Sequence, residues 1–340
     1  MKPIVHHRVL LTALATALTV VAFVSGGTQA QQATAPKPSV NKVTEAQLDK
    51  WMQELSNWGR WGKDDVLGAL NTITPAKRRE AAALVRTGET VSLSHDLKVG
   101  GEQTEYVLPF FLRMRIVPER QVVRDRQDID PHGNGGGSHI DALCHMAYKG
   151  KFYNDVPYES VTAEKGCTLG IHNLKDGVVT RGVLIDIPRL RNVAYLEAGT
   201  HVFREDIEAW EKQAGVKVGP GDALLLRVGK PASGARSGSG YDASFLPFLK
   251  DRDVGIMGGD AADVGVVQGC TNTGPVPTMC WNAIHKFVLV ARGMHLFDGL
   301  DMEAVAATAA KLKRWEFMFV AAPIRVPGGS GAPVNPLAIF

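Results

Sequence analysis

The chain has 340 residues, 45% of them hydrophobic and 21% charged, with a formal net charge of +3. That is an ordinary globular mixture, long enough to bury a sizeable core. The charge is small for this length and the Lys and Arg residues are scattered without aromatic interleaving, which excludes a nucleic-acid groove or a polybasic membrane patch and leaves a small molecule as the expected partner.

The first stretch has a meaning of its own. Lys2, His6, His7 and Arg8 form a positive region, residues 9–24 are almost wholly apolar, and Thr28-Gln29-Ala30 ends in a small residue that a signal peptidase accepts. The pattern predicts a secretory signal over 1–30, cut near Ala30, and a periplasmic or secreted mature protein with no stable membrane anchor. The apolar run is short for a membrane span, and the polar tail over 31–44 is no stop-transfer flank; an uncleaved anchor is the alternative. No adjacent arginine pair precedes the run, which favours general secretion over the twin-arginine route.

Behind the tail, a Thr-x-x-Gln start at Thr44 and the spacing Leu48, Trp51, Met52, Leu55 predict a capped amphipathic helix over 44–55. Residues 57–65 set Trp58 and Trp61 among glycines, which reads as a packed loop, either a lid on the core or an aromatic wall of a ligand pocket. A second helix runs from Thr74-Pro75 to about Leu84. Residues 90–97 and 106–116 are rich in β-branched, aromatic and leucine residues and are parted by a Gly-Gly turn, so both predict strands. Residues 118–130 read as a charged, exposed connection. Residues 146–154 predict a hairpin around Gly150 carrying Tyr148 and Tyr153.

Buried strands are predicted at 182–187, 223–228 and 254–260, an amphipathic helix at 201–213, and a Ser/Gly-rich flexible loop with the composition of a lid at 233–240. His285 heads an apolar run over 284–294; residues 296–301 lead into a helix over 302–313, and 316–322 read as a closing strand. With no internal repeat and no shift of composition after the tail, residues 45–340 are expected to form one α/β domain around a mixed sheet.

The chemistry concentrates in Gly135-Gly136-Gly137-Ser138-His139-Ile140-Asp141-Ala142-Leu143-Cys144-His145. His139 and Asp141 stand two apart, so in an extended strand they project to one face, and His145 follows a short apolar turn that lets it fold back. Imidazole plus carboxylate suits zinc, manganese or iron(II), and glycines let a backbone come close to a ligand. The bland reading is a pair of histidines hydrogen-bonded at the edge of a core. His285 and Asp298 lie where they could complete a coordination sphere. His132 is a further imidazole able to swing in, whereas His295, flanked by Met294, Leu296 and Phe297, reads as packed. Asp260 reads as a cap before it reads as a partner of a ligand histidine.

No Gly-x-Ser-x-Gly elbow, Walker loop or dinucleotide fingerprint is present, which makes Ser138 a poor nucleophile. The four cysteines allow three pairings; Cys270 and Cys280, which bracket a Thr/Asn/Gly/Pro loop, are the expected pair, and Cys144, beside His145, reads as a small buried hydrophobe rather than a ligand or nucleophile.

The stretch 136–145 resembles the His-x-Gly-Thr-His-x-Asp-x-x-x-His signature of the cyclase family, which includes bacterial kynurenine formamidases and isatin hydrolases. Residues 57–62, 148–154, 180–186, 221–225 and 331–336 also look like the longer members of that family, so the resemblance runs from about residue 45 to the end. It implies an α/β domain with a mixed, β-barrel-like central sheet flanked by helices, of the swivelling β/β/α type, assembled as a homodimer or homotetramer. It also implies hydrolysis of C–N bonds in formamides or cyclic amides with a divalent metal, zinc or manganese. By resemblance His139, Asp141, His285 and Asp298 are metal ligands and His145 is the proton-transferring histidine. Trp58, Trp61, Tyr148 and Tyr153 are candidate walls for a flat ring.

Two departures stand out. Asp298 occupies a position where formamidases are expected to carry Glu, and the signature's first histidine falls on Gly135, with Ser138 in place of its threonine. The loss of that imidazole leaves open a single metal, a different ligand such as His132, or a weakened catalyst. The expected activity is metal-dependent hydrolysis of an amide, cyclic amide or lactone through an activated water, with His145 as proton shuttle. The alternatives are a periplasmic small-molecule-binding protein that lost its catalyst, and a lyase or cyclase on the same fold.

Overall fold

The computed structural model describes residues 43–100, 110–132, 137–231, 237–261 and 282–340. The signal and tail up to residue 42, the start of the 106–116 strand, Gly135, residues 233–236 of the Ser/Gly-rich loop, Cys270 and Cys280 lie outside the described residues.

The strands in chain order are β1 (Thr90–Ser92), β2 (Phe111–Val117), β3 (Val122–Asp128), β4 (His139–Asp141), β5 (Val178–Asp186), β6 (His201–Val202), β7 (Ala223–Arg227), β8 (Gly240–Tyr241), β9 (Ile256–Gly259), β10 (Leu296–Asp298), β11 (Glu316–Ala321), β12 (Gly331–Pro333) and β13 (Leu337–Ile339). Among the described residues, nine of them form one sheet in the order β1-β13-β11-β5-β7-β9-β10-β4-β12. The centre, β5-β7-β9-β10, is parallel, and antiparallel strands extend it on both sides. The sheet curls into a half-barrel flanked by helices, the mixed α/β architecture expected from the sequence.

The parallel centre is covered on both faces, so its strands read as unbroken apolar runs. Along β7, Leu224 and Leu226 enter one core while Ala223 and Leu225 enter the other. The first core receives Ile207 and Trp210 from helix Arg204–Ala214 and Phe248 and Leu249 from helix Leu246–Asp251; the second receives Val305, Ala306 and Ala309 from helix Glu303–Leu312. Trp210 is buried but not orphaned, since its Nε1 donates to the Leu184 carbonyl at 2.7 Å. The two N-terminal helices start where their caps predict. Thr44 Oγ1 accepts from the Gln47 amide ahead of helix Glu45–Glu54, and Thr74 Oγ1 accepts from the Lys77 amide ahead of helix Pro75–Ala82, both at 3.2 Å.

Three expectations are corrected. Residues 118–130 are not a bare connection, because β3 pairs with β2 along its whole length as a hairpin. Both strands are exposed at every position but the last, so β3 tolerates a charge density that disguises it as a loop. The strand expected over 90–97 ends at Ser92. Finally, Cys144 is no isolated hydrophobe: it is joined in a disulfide to Cys167. No helix among the described residues is long and apolar enough to cross a membrane.

Candidate metal centre

Strand β4 lies between β10 and β12, and the registers decide what meets across it. His139 pairs with Asp298 and Asp141 with Leu296 on one side; Asp141 pairs with Gly331 on the other. Directly paired residues of antiparallel strands point to the same face, so His139, Asp141 and Asp298 share one, while Ile140 and Phe297 enter the core beneath.

Onto that face three more imidazoles converge. His285, on the short helix Ala283–Lys286, brings Nε2 to 3.8 Å from Asp141 Oδ2 and 3.9 Å from Asp298 Oδ2. His145 sits in a turn closed by its own amide donating to the Ala142 carbonyl at 2.9 Å. His132 lies parallel to the His145 ring, with centroids 3.7 Å apart, and brings Nδ1 to 3.1 Å from Asp141 Oδ1. His132 reaches this place because Gly331 has no side chain: a Cβ there would stand 2.5 Å from His132 Cε1. Its Nε2 hydrogen-bonds Ser330 Oγ at 3.1 Å.

Asp141 is the centre of charge. Burial pushes its carboxyl up, but the imidazoles of His145, His132, His139 and His285 outweigh that and hold it below the usual carboxylate range. Despite its neighbours, neither carboxylate oxygen is aligned with a hydrogen-bond donor, and His132 Nδ1 is likewise without an aligned partner. Fully buried carboxylate oxygens without aligned donors are costly unless something positive stands close to them. The donor set fits a divalent cation: ligand atoms of His132, Asp141 and His145 all lie within 4.8 Å of one another.

His139 is prepared for the same task. Its Nδ1 donates to the Gly137 carbonyl at 2.8 Å, which leaves Nε2 facing Asp141, 3.5 Å away. Burial brings His145 down to about 4, with Asp141 pulling the other way and the neighbouring imidazoles adding to the fall, so its ring is neutral at neutral pH.

The Cyclase family model matches residues 30–266, well over half of the chain. The chain belongs to the cyclase family. A crystal structure of a novel cyclase is 28% identical, with a TM-score of 0.73 over 85% of this chain and 99% of that one. Isatin hydrolase A from Labrenzia aggregata, bound to benzyl benzoate, is 19% identical over 76% and 94% with a TM-score of 0.48; isatin hydrolase A from Ralstonia solanacearum is 18% identical over 76% and 93% with a TM-score of 0.45. No curated protein matches the chain.

In this cyclase-family chain the geometry brings together His139, Asp141 and His145, which the motif spacing had grouped, His285 and Asp298, which the resemblance had suggested, and His132. The signal for His132 was faint, three residues ahead of the position its family signature assigns. Ser138 is occupied structurally: it accepts from the His95 amide at 3.0 Å and donates to the Gly299 carbonyl at 2.7 Å. Asp260 accepts from the amides of Val228 and Gly229 at 2.7 and 3.0 Å and so ties the exit of β7; burial raises it to about 7 against those two bonds. His295 is fully buried, as its apolar flank predicts.

The aromatic candidates divide. Tyr153 is fully buried and its hydroxyl donates to Asp65 Oδ2 at 3.0 Å. Trp61 stacks under the Arg60 guanidinium, 4.5 Å from the ring centroid. Trp58, whose Nε1 donates to the Val290 carbonyl at 2.6 Å, and Tyr148, hydrogen-bonded to Asp49, line a cleft of about 550 Å³ together with Met52, Ser56 and Lys151. None of the clustered histidines or aspartates is among that cleft's walls.

Proposed function

We propose that this chain is a metal-dependent hydrolase that cleaves a C–N bond of a formamide or cyclic amide, or the ester bond of a lactone, in a small molecule. The observation that carries the reading is Asp141: a fully buried carboxylate whose two oxygens lack aligned donors while four imidazoles surround it. His139, Asp141, His285 and Asp298, with His132 in place of the imidazole lost at Gly135, would hold zinc or manganese. Such a cation supplies a Lewis acid for a carbonyl and lowers the pKa of water toward neutrality.

The chain's own residues do the rest. His145, neutral at neutral pH, can accept a proton from water and return it to the leaving nitrogen or oxygen. Asp141 and Asp298 hold the ring of His285 between two carboxylates, and the Gly137 carbonyl fixes the tautomer of His139. Trp58 and Tyr148 line a surface cleft able to seat a flat ring, set apart from the clustered histidines and aspartates.

Export belongs to the same reading. The start of the chain has the form of a cleaved signal, and the Cys144–Cys167 disulfide suits a periplasmic or extracellular setting. Assembly as a homodimer or homotetramer is supported by Leu112, Met114, Ile116 and Val123, which share one exposed face of the β2–β3 hairpin.

The test is turnover of formamides, cyclic imides and lactones in ¹⁸O water. A hydrolase incorporates the label into product and loses activity on chelation. Turnover without label would move the chemistry to a lyase or cyclase, and saturable binding without turnover to a binding protein.

A further inference from the structure

Cys144 and Cys167 close a circuit around the stacked His132 and His145 rings. Cys144 directly precedes His145, and the disulfide ties it to a loop 23 residues on. That loop docks by backbone on the segment before β12: the Cys167 amide donates to the Gly328 carbonyl at 3.0 Å and the Ile171 amide to the Gly329 carbonyl at 2.8 Å. The two chains approach so closely that a Cβ on Gly166 would stand 2.7 Å from Gly328 Cα. The docked segment continues into Ser330, which bonds His132 and accepts from the Ala142 amide at 2.9 Å, and into Gly331, over which His132 lies. One covalent bond thus links the turn that carries His145 to the cradle that holds His132.

We propose that formation of the Cys144–Cys167 disulfide is the maturation step of the metal centre, so that high metal affinity is acquired only after oxidation. In that step the two thiols lose two protons and two electrons to a disulfide oxidant, which leaves as a dithiol. The inference rests on the metal-centre reading above. With the bond open, the turn that carries His145, against whose ring His132 stacks, and the cradle that holds His132 lose their covalent link, so His132 is the ligand that loses support. Partners that orient ligands from behind typically contribute 10- to 100-fold in metal affinity, and that is the loss expected here. Cys144 and Cys167 are 7% and 4% exposed, so once closed the bond is shielded from exchange and the matured state persists.

The experiment is competition of the full-length mature protein against a chromophoric chelator for Zn²⁺ and for Mn²⁺, comparing oxidised wild type with Cys144→Ala/Cys167→Ala. Alanines remove the bond without leaving thiols that could themselves take zinc. The expected result is metal affinity lower by about 10- to 100-fold in the variant, with far-UV circular dichroism of the metal-free protein retained. Should the variant fail to fold, wild type unfolded and refolded in the presence of a phosphine reductant, which becomes its oxide with oxygen from water, is read in the Mn²⁺ arm. Equal affinity with the bond open and closed overturns the inference alone. Wild type that binds neither metal overturns the metal-centre reading, and this inference with it.

Discussion

Gly331 decides whether His132 can lie over Asp141, because any Cβ at that position collides with the imidazole ring. Gly331→Ala should therefore displace His132 and weaken metal binding, while His132→Ala should have a similar effect without disturbing β12. Chelator competition on the two variants checks this, and full affinity in both would remove His132 from the ligand set. His139 and His145 separate by role. His139→Ala should lose metal and activity together, whereas His145→Ala should keep the metal and lose turnover; equal loss of metal in the two would make His145 a ligand. The spacing of His139 and Asp141 was legible because a strand repeats every two residues, so two side chains two apart must share a face. His132 was not legible in the same way. Its place depends on a glycine two hundred residues away and on a stacking contact with His145, neither of which leaves a mark in local spacing.

The elements that carry the site are short, and β4 is held in register by β10 and β12 on either side. The parallel centre was readable from its apolar runs, since strands buried on both faces have little choice of residue. Hairpin strand β3 was hidden because neither face is buried, so Arg124, Asp125 and Arg126 carry the look of a loop. The disulfide was missed for a related reason: the docking of Cys167 on Gly328 is made by backbone groups, which sequence does not display. A close fit elsewhere in the sheet gives a direct stability prediction. Gly182 pairs with Phe317 across β5 and β11, and a Cβ there would meet the Phe317 ring at 2.5 Å. Phe317 is fully buried and cannot step aside. Gly182→Ala should thus cost about 1–3 kcal/mol, read from urea unfolding of the metal-free protein; no shift of the midpoint would mean that the sheet relaxes freely at this pair.

For the molecule as a whole, the imidazoles of His295 and His145 contribute a loss of stability in acid. Burial lowers His295 to about 3 and His145 to about 4, both below the ordinary value of 6.5. The unfolded chain therefore takes up these protons first, and the stability the neutral rings contribute is fully present above pH 6.5 and is lost as the pH falls toward 3. Asp260, raised to about 7, works the other way in the same window, so the histidine contribution is read as a difference: between pH 6.5 and 4 the melting temperature of the metal-free protein should fall by more in wild type than in His295→Leu, and identical profiles in the two would contradict it. The gathering of His132, His139, His145 and His285 around one orphaned carboxylate is the feature on which every functional statement rests. Elemental analysis of purified protein, wild type beside Asp141→Asn, tests it most directly. Stoichiometric zinc or manganese in the wild type, absent from the variant, is the predicted result. Metal missing from both after reconstitution, or retained equally in both, would contradict a metal centre built on Asp141.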